Sequence, residues 1–270
     1  RMDAVSYILF PAPTVYWMYA ICSMIVACSG KHKLNRAKLD LYLRYIIASR
    51  SFERAATIMN APDIDFLVDE IVHQGDVEDV DGLDEVPNAD TMNMVSAIED
   101  FVICHELAHL LLGHDDSNPG TEMAADKLAL DLLQSLPESS FRSFPVEDLS
   151  PRHFPQLGYL SLYMWKIVRL SAEQRVLTHV FDTPEQIASA RVRIEKLWSE
   201  RRAQIDLVEK LPIEVPPSLR AIADGAVKLV EEIGNIDLDR DEIHRIRTLA
   251  RTLGHGDYSE LRQKFLRKKF

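Results

Sequence analysis

Apolar residues recur along most of this chain at intervals of three and four, the spacing that lines one face of an α-helix, and the breaks fall at proline, glycine and asparagine. Residues 35–58 place Leu39, Leu43, Ile46 and Ile47 between Arg and Lys, which predicts an amphipathic helix halted at Asn60-Ala61-Pro62-Asp63. Residues 64–80 break the rhythm, mixing Phe66, Leu67, Val68, Ile71 and Val72 with acids around Gly75, and predict one or two short strands. Beyond Gly82 and Pro87, Asp90-Thr91 is read as the N-cap of a long helix running to about Leu112, with Gly113 as its stop. Asn118-Pro119-Gly120 makes a turn, and Thr121 is expected to cap a helix from Glu122 to about Leu136 that points Ala125, Leu128, Ala129, Leu132 and Leu133 inward. Proline-rich residues 137–155 read as loop, followed by helical patterns at about 156–177, 184–211, 217–233, 239–253 and 258–270. The predicted class is mainly α with a small β element (α+β). Its divisions are an N-terminal helical segment at 1–60, a central domain at 61–211 and a C-terminal helical section at 212–270, set off by Pro212, Pro216 and Pro217.

The opening of the chain changes this picture, because residues 4–30 contain no charged side chain and 14–29 are strongly apolar. Pro11 and Pro13 limit an uninterrupted helix to about seventeen residues, the short end of what crosses a ~30 Å bilayer core. The preferred reading is a helix buried in the protein. The alternative is a membrane anchor, which Lys31, His32 and Lys33 would orient with the following chain on the cytoplasmic side. The run lacks the basic start of a signal peptide.

The 270 residues carry a net charge of −11, unevenly spread. No Lys or Arg lies between Arg54 and Lys127, a stretch with eighteen Asp and Glu, so the rest of the chain is at +7. Such acidity excludes a dedicated nucleic-acid binder, which needs clustered cations, and is consistent with a solvated surface or with a field that draws in a divalent cation or a basic substrate. The one cationic cluster, Arg262, Lys264, Arg267, Lys268 and Lys269, reads as a solvated helix end. Three cysteines, Cys22, Cys28 and Cys104, form no paired spacing, which points to a reducing compartment, the cytoplasm, and excludes a Cys-x-x-Cys metal site.

The chemistry concentrates at His105-Glu106-Leu107-Ala108-His109. A helix advances 3.6 residues per turn, so the two imidazoles stack on one face, where they can grip a single ion. Glu106 sits one step round from His105 and can reach the attacking water without being a ligand, which makes it the candidate general base. A catalytic zinc, one per chain, needs a third protein ligand, and Glu122 at the start of the following helix supplies it. Asp126, one turn further on, can accept from the free ring nitrogen of a ligand histidine. His114, just past the helix end, could approach the metal or a substrate but is read as a favourable charge on the helix dipole, and Cys104 is read as a small buried hydrophobe. The apolar residues Phe101, Val102, Leu107, Ala108, Leu110, Leu111 and Leu112 around the motif predict that its helix is buried at the heart of a domain.

Residues 103–113, followed by Glu122-Met123-Ala124-Ala125-Asp126, resemble the His-Glu-x-x-His and Glu-x-x-x-Asp signature of the gluzincin metallopeptidases. The short gap from His109 to Glu122 is similar to that of the compact ImmA/IrrE and phage-exclusion Lit groups. His-Glu-Leu-Ala-His-Leu-Leu-Leu-Gly-His is also similar to the motif of the HtpX and CAAX prenyl protease group. The likeness covers residues 95–136 and implies a compact zincin-like catalytic core with additional helices, zinc held by His105, His109 and Glu122, and peptide hydrolysis with Glu106 as base. Thr178-His179 and Arg191-Val192-Arg193-Ile194 resemble an element of the HtpX and CAAX prenyl protease group that stabilises the oxyanion, which implies that role for His179 and Arg193. In that group the residue after the histidine is proline, whereas Val180 stands here, and His153, Tyr159 and Tyr163 are competing donors. A metzincin-like site would instead take Asp115, six residues after His109, although Leu112 stands where those families have glycine. Gluzincins pair an extended substrate with a strand edge before the motif helix, here residues 64–80, whose acids suggest basic residues beside the scissile bond. The alternative to a protein or peptide substrate is a catalytically silent zinc-binding regulatory protein whose helical C-terminal section meets a partner.

Overall fold

A computed structural model describes residues 12–31, 34–55, 89–114, 118–137, 151–209 and 217–255. The described residues form eight α-helices: α1 (Ala12–Val26), α2 (Arg36–Ala55), α3 (Ala89–Leu112), α4 (Pro119–Ser135), α5 (Phe154–Val180), α6 (Pro184–Glu209), α7 (Pro217–Asn235) and α8 (Arg240–His255). A π-helical turn, Ala27–Lys31, continues α1, and a 3₁₀ turn, Pro151–His153, leads into α5. The mainly α class is therefore observed. No strand occurs among the described residues, and the strands expected at 64–80 lie outside them, as do the last helix expected at 258–270 and Asp115.

Capping residues account for the starts of three helices. Asn35 accepts from Lys38 N at 3.2 Å and begins α2, and Asp239 Oδ1 accepts from Asp241 N at 2.8 Å and Glu242 N at 3.2 Å to begin α8. α4 starts three residues before its expected first residue. Asn118, with extended φ −135°, is the N-cap, its side chain accepting from Gly120 N and Thr121 N, while Thr121 Oγ1 accepts from Asn118 N at 2.9 Å. This reciprocal capping box demotes Thr121 from cap to third helical residue. At α3 the expected cap is likewise inside the helix: Asp90 is in its first turn and Thr91 is buried.

Contacts divide the chain into two units, each assembled from separated stretches, where a reading along the chain expects the consecutive segments 1–60, 61–211 and 212–270. The difference arises because helices pack against partners distant in sequence. The first unit comprises Arg1–Leu34, Asp84–Ser171 and Val192–Glu232. In it α3 packs on α4 and α1 packs on α3. Ile21, Cys22, Ile25 and Val26 of α1 are fully buried, so the apolar run forms interior core, and no helix among the described residues is long and apolar enough to cross a membrane. α5 approaches α3 at Gly158, where a Cβ would stand 2.2 Å from Ala97 O. Only a residue without a side chain admits that backbone-to-backbone contact.

The second unit comprises Asn35–Leu83, Ala172–Arg191 and Ile233–Phe270. Here α2 pairs with α8, burying Leu39, Leu43, Ile46 and Ile47 against a stripe that includes Ile243, Ile246 and Ala250. Arg44 joins the pair by contacting Asp40 Oδ2 at 2.5 Å and Glu242 Oε1 at 2.6 Å, and Arg50 reaches Glu173 at 2.5 Å.

Candidate metal centre

α3 carries two different faces. Met94, Val95, Ile98, Phe101 and Ala108 are buried, and His105 continues that inward face. The opposite face is exposed: Leu107 is 42 %, Leu110 60 % and Leu111 61 % accessible, with Ile103 and Leu112 similar. The motif helix is thus half-buried rather than enclosed on all sides. Its apolar residues outnumber the positions that one packed face of a 3.6-residue helix can hold.

On the inward face the four expected residues meet. His105 and His109 present Nε2 atoms 3.1 Å apart. From the first turn of α4, Glu122 places Oε2 3.4 Å from His105 Nε2 and Oε1 3.5 Å from His109 Nε2. Separations of this size suit the donors of a tetrahedral ion, since bonds of about 2.05 Å at the tetrahedral angle separate ligand atoms by about 3.3 Å. The helix ends reinforce the arrangement. Glu122 lies at the positive N-terminus of α4, and a cation beside His109 would lie at the negative C-terminus of α3.

Behind the ligands, Asp126 has no solvent exposure. Its Oδ1 lies 2.9 Å from His105 Nδ1 without the alignment of a hydrogen bond, and its Oδ2 accepts from Tyr163 Oη at 2.6 Å. A carboxyl group taken wholly out of water requires such partners. Tyr163 comes from α5, where it packs on Tyr159 at 4.6 Å between ring centroids, and Tyr159 meets Phe101 edge-on at 5.3 Å. Together with the Phe101 ring 6.1 Å from that of His105, they form an aromatic wall behind the histidines.

Two residues take roles other than the ones the sequence favours. Tyr163, a candidate oxyanion donor, donates its hydroxyl to Asp126. His114, expected as a charge on the helix dipole, places its Nδ1 3.0 Å from His109 Nδ1. Glu106 follows His105 with its side chain exposed to solvent. Tyr159 and His153 are buried, and Arg193 is exposed. His179 belongs to the second unit, one residue before the end of α5, where burial and the charges of Arg175, Arg247 and Arg240 push its pKa below the ordinary value. Cys104 is half-buried, and burial, then Asp100, raises its pKa.

The donor set fits a metal ion. If His105 turns its Nδ1 proton toward Asp126, its Nε2 offers a lone pair to the same point as the carboxylate of Glu122. Lone pairs brought this close suit a positive charge between them, so His105, His109 and Glu122 form a group that could hold a metal ion. Compared with models of protein families, with curated proteins and with solved structures, the chain matches none.

Proposed function

We propose that this chain is a zinc-dependent metallopeptidase of the gluzincin type, acting on a protein or peptide. The observation that supports it most is the convergence of two Nε2 atoms, 3.1 Å apart, on the Glu122 carboxylate, whose Oε2 lies 3.4 Å from His105 and whose Oε1 lies 3.5 Å from His109, backed by the buried Asp126. Two imidazoles and one carboxylate are a donor set for catalytic zinc, and three protein ligands leave a fourth position open.

Zinc bound there would lower the pKa of water from about 15.7 toward about 7 and polarise a substrate carbonyl. The protein's own residues do the rest. Asp126, held by Tyr163, orients His105. Glu106, adjacent to the ligands and open to solvent, takes the proton of the attacking water and returns it to the leaving amine. A purely structural site has no use for such a base. The reading takes basic residues beside the scissile bond to suit the acids of residues 64–80.

The test combines metal content with turnover. The wild-type chain should carry one zinc and cleave peptides, while Glu106→Gln should keep the zinc and lose about 10²- to 10⁴-fold in kcat. Undiminished turnover in that variant rejects the role of Glu106. Zinc without cleavage of any peptide in the wild type favours a non-catalytic zinc protein.

A further inference from the structure

The C-terminal turn of α3 joins His109 to His114 twice. Gly113 adopts φ 65°, a left-handed conformation that costs a side-chain-bearing residue roughly 1 kcal/mol or more, and it closes the helix with a Schellman motif. Gly113 N donates to Leu110 O at 3.3 Å, and His114 N donates to His109 O at 3.0 Å. The side chains of the residues joined by that second bond meet again. Their Nδ1 atoms lie 3.0 Å apart, with ring centroids at 5.1 Å and planes inclined by 68°.

Two ring nitrogens at this distance share one proton, so one donates and the other accepts. His109 offers Nε2 to the cluster as a lone pair only when its single ring proton is on Nδ1. His109 Nδ1 is then the donor and His114 Nδ1 the acceptor. We propose that His114 is a positioning residue of the metal centre: its Nδ1 accepts from His109 Nδ1–H and holds His109 in the ligand tautomer. This rests on the metal reading above and deepens it.

The two ligand histidines are thus steadied by different means. His105 relies on Asp126, which another helix brings to it. His109 relies on a residue five positions along its own chain, delivered by the glycine turn, so the run His109-Leu110-Leu111-Leu112-Gly113-His114 supplies a ligand and its holder together.

An acceptor and a helix-dipole charge make different demands at position 114. His114→Asn keeps an acceptor near the place of Nδ1 and removes any charge, whereas His114→Lys keeps a charge and has no acceptor. In chelator-competition titrations of the full chain, His114→Leu and His114→Lys should raise the zinc dissociation constant about 10- to 100-fold. His114→Asn should stay within about threefold of wild type, as expected when the acceptor is retained. Binding by His114→Lys as tight as that of wild type overturns the assignment, and the polar Asn and Lys pair decides it even where the Leu variant fails to fold. A wild-type chain that binds no metal overturns the metal reading and this role with it. Wild-type binding left unchanged by all three substitutions overturns the role alone.

Discussion

Tyr163 has one hydroxyl and Asp126 one buried carboxyl group, and each is the other's partner at 2.6 Å. Removing that hydroxyl leaves Asp126 Oδ2 without this donor in an interior where it has no solvent exposure. Tyr163→Phe should therefore destabilise the metal-free protein by about 1–3 kcal/mol, measured by urea unfolding. A loss no larger than that of an ordinary surface substitution would mean that the bond contributes little. At this scale the sequence disclosed what repeats within one helix: the spacing of His105, Glu106 and His109, and of Glu122 and Asp126, is a property of helical geometry. It could not disclose which side chain arrives from another helix. Tyr163 lies 37 positions from Asp126, and nothing in its neighbours signals the meeting. His114 was legible in principle, since a glycine before a histidine at a helix end implies a turn that brings the chain back over its last carbonyls.

Helices were legible as elements wherever apolar periodicity met a capping residue, as at α2 and α8. Their ends were misread where two capping residues competed. Asn118 and Thr121 both cap well, and the winner was decided by Pro119, which suits the first helical position and places Asn118 before it. The exposed Leu107, Leu110 and Leu111 show a different limit, because hydrophobicity does not say which of two apolar faces will be packed. A close helix crossing is also an element-scale feature. At Gly158 an added Cβ would lie 2.2 Å from Ala97 O and 3.1 Å from Phe101 Cβ, both on α3. Backbone cannot yield as a flexible side chain can, so Gly158→Ala should force α5 away from α3. The expected cost is about 3 kcal/mol, read from denaturation midpoints. A midpoint equal to wild type would show that the crossing has slack.

Across the whole molecule, stability should carry a pH dependence from the second unit. Burial, then Arg175, Arg247 and Arg240, lowers the pKa of His179 below its unfolded value, so the unfolded chain binds that proton more readily than the folded one. The contribution is therefore fully present above the ordinary histidine pKa and is lost as pH falls through the folded value. Between about pH 7.5 and about pH 5.5, which bracket the ordinary histidine pKa, metal-free His179→Gln should lose less thermal stability than metal-free wild type. Equal losses would assign the acid sensitivity to other groups. Neither unit was visible along the chain, because each draws on stretches more than a hundred residues apart.

Cys22 sits in the interior of the unit that carries the ligands, with no exposure, and burial pushes its thiol up to about 12. Alkylating reagents attack thiolates, so they must wait for that interior to breathe before this sulfur reacts. Its tagging rate is therefore a native clock for opening of the unit that carries the histidines, with half-buried Cys28 and Cys104 as internal references.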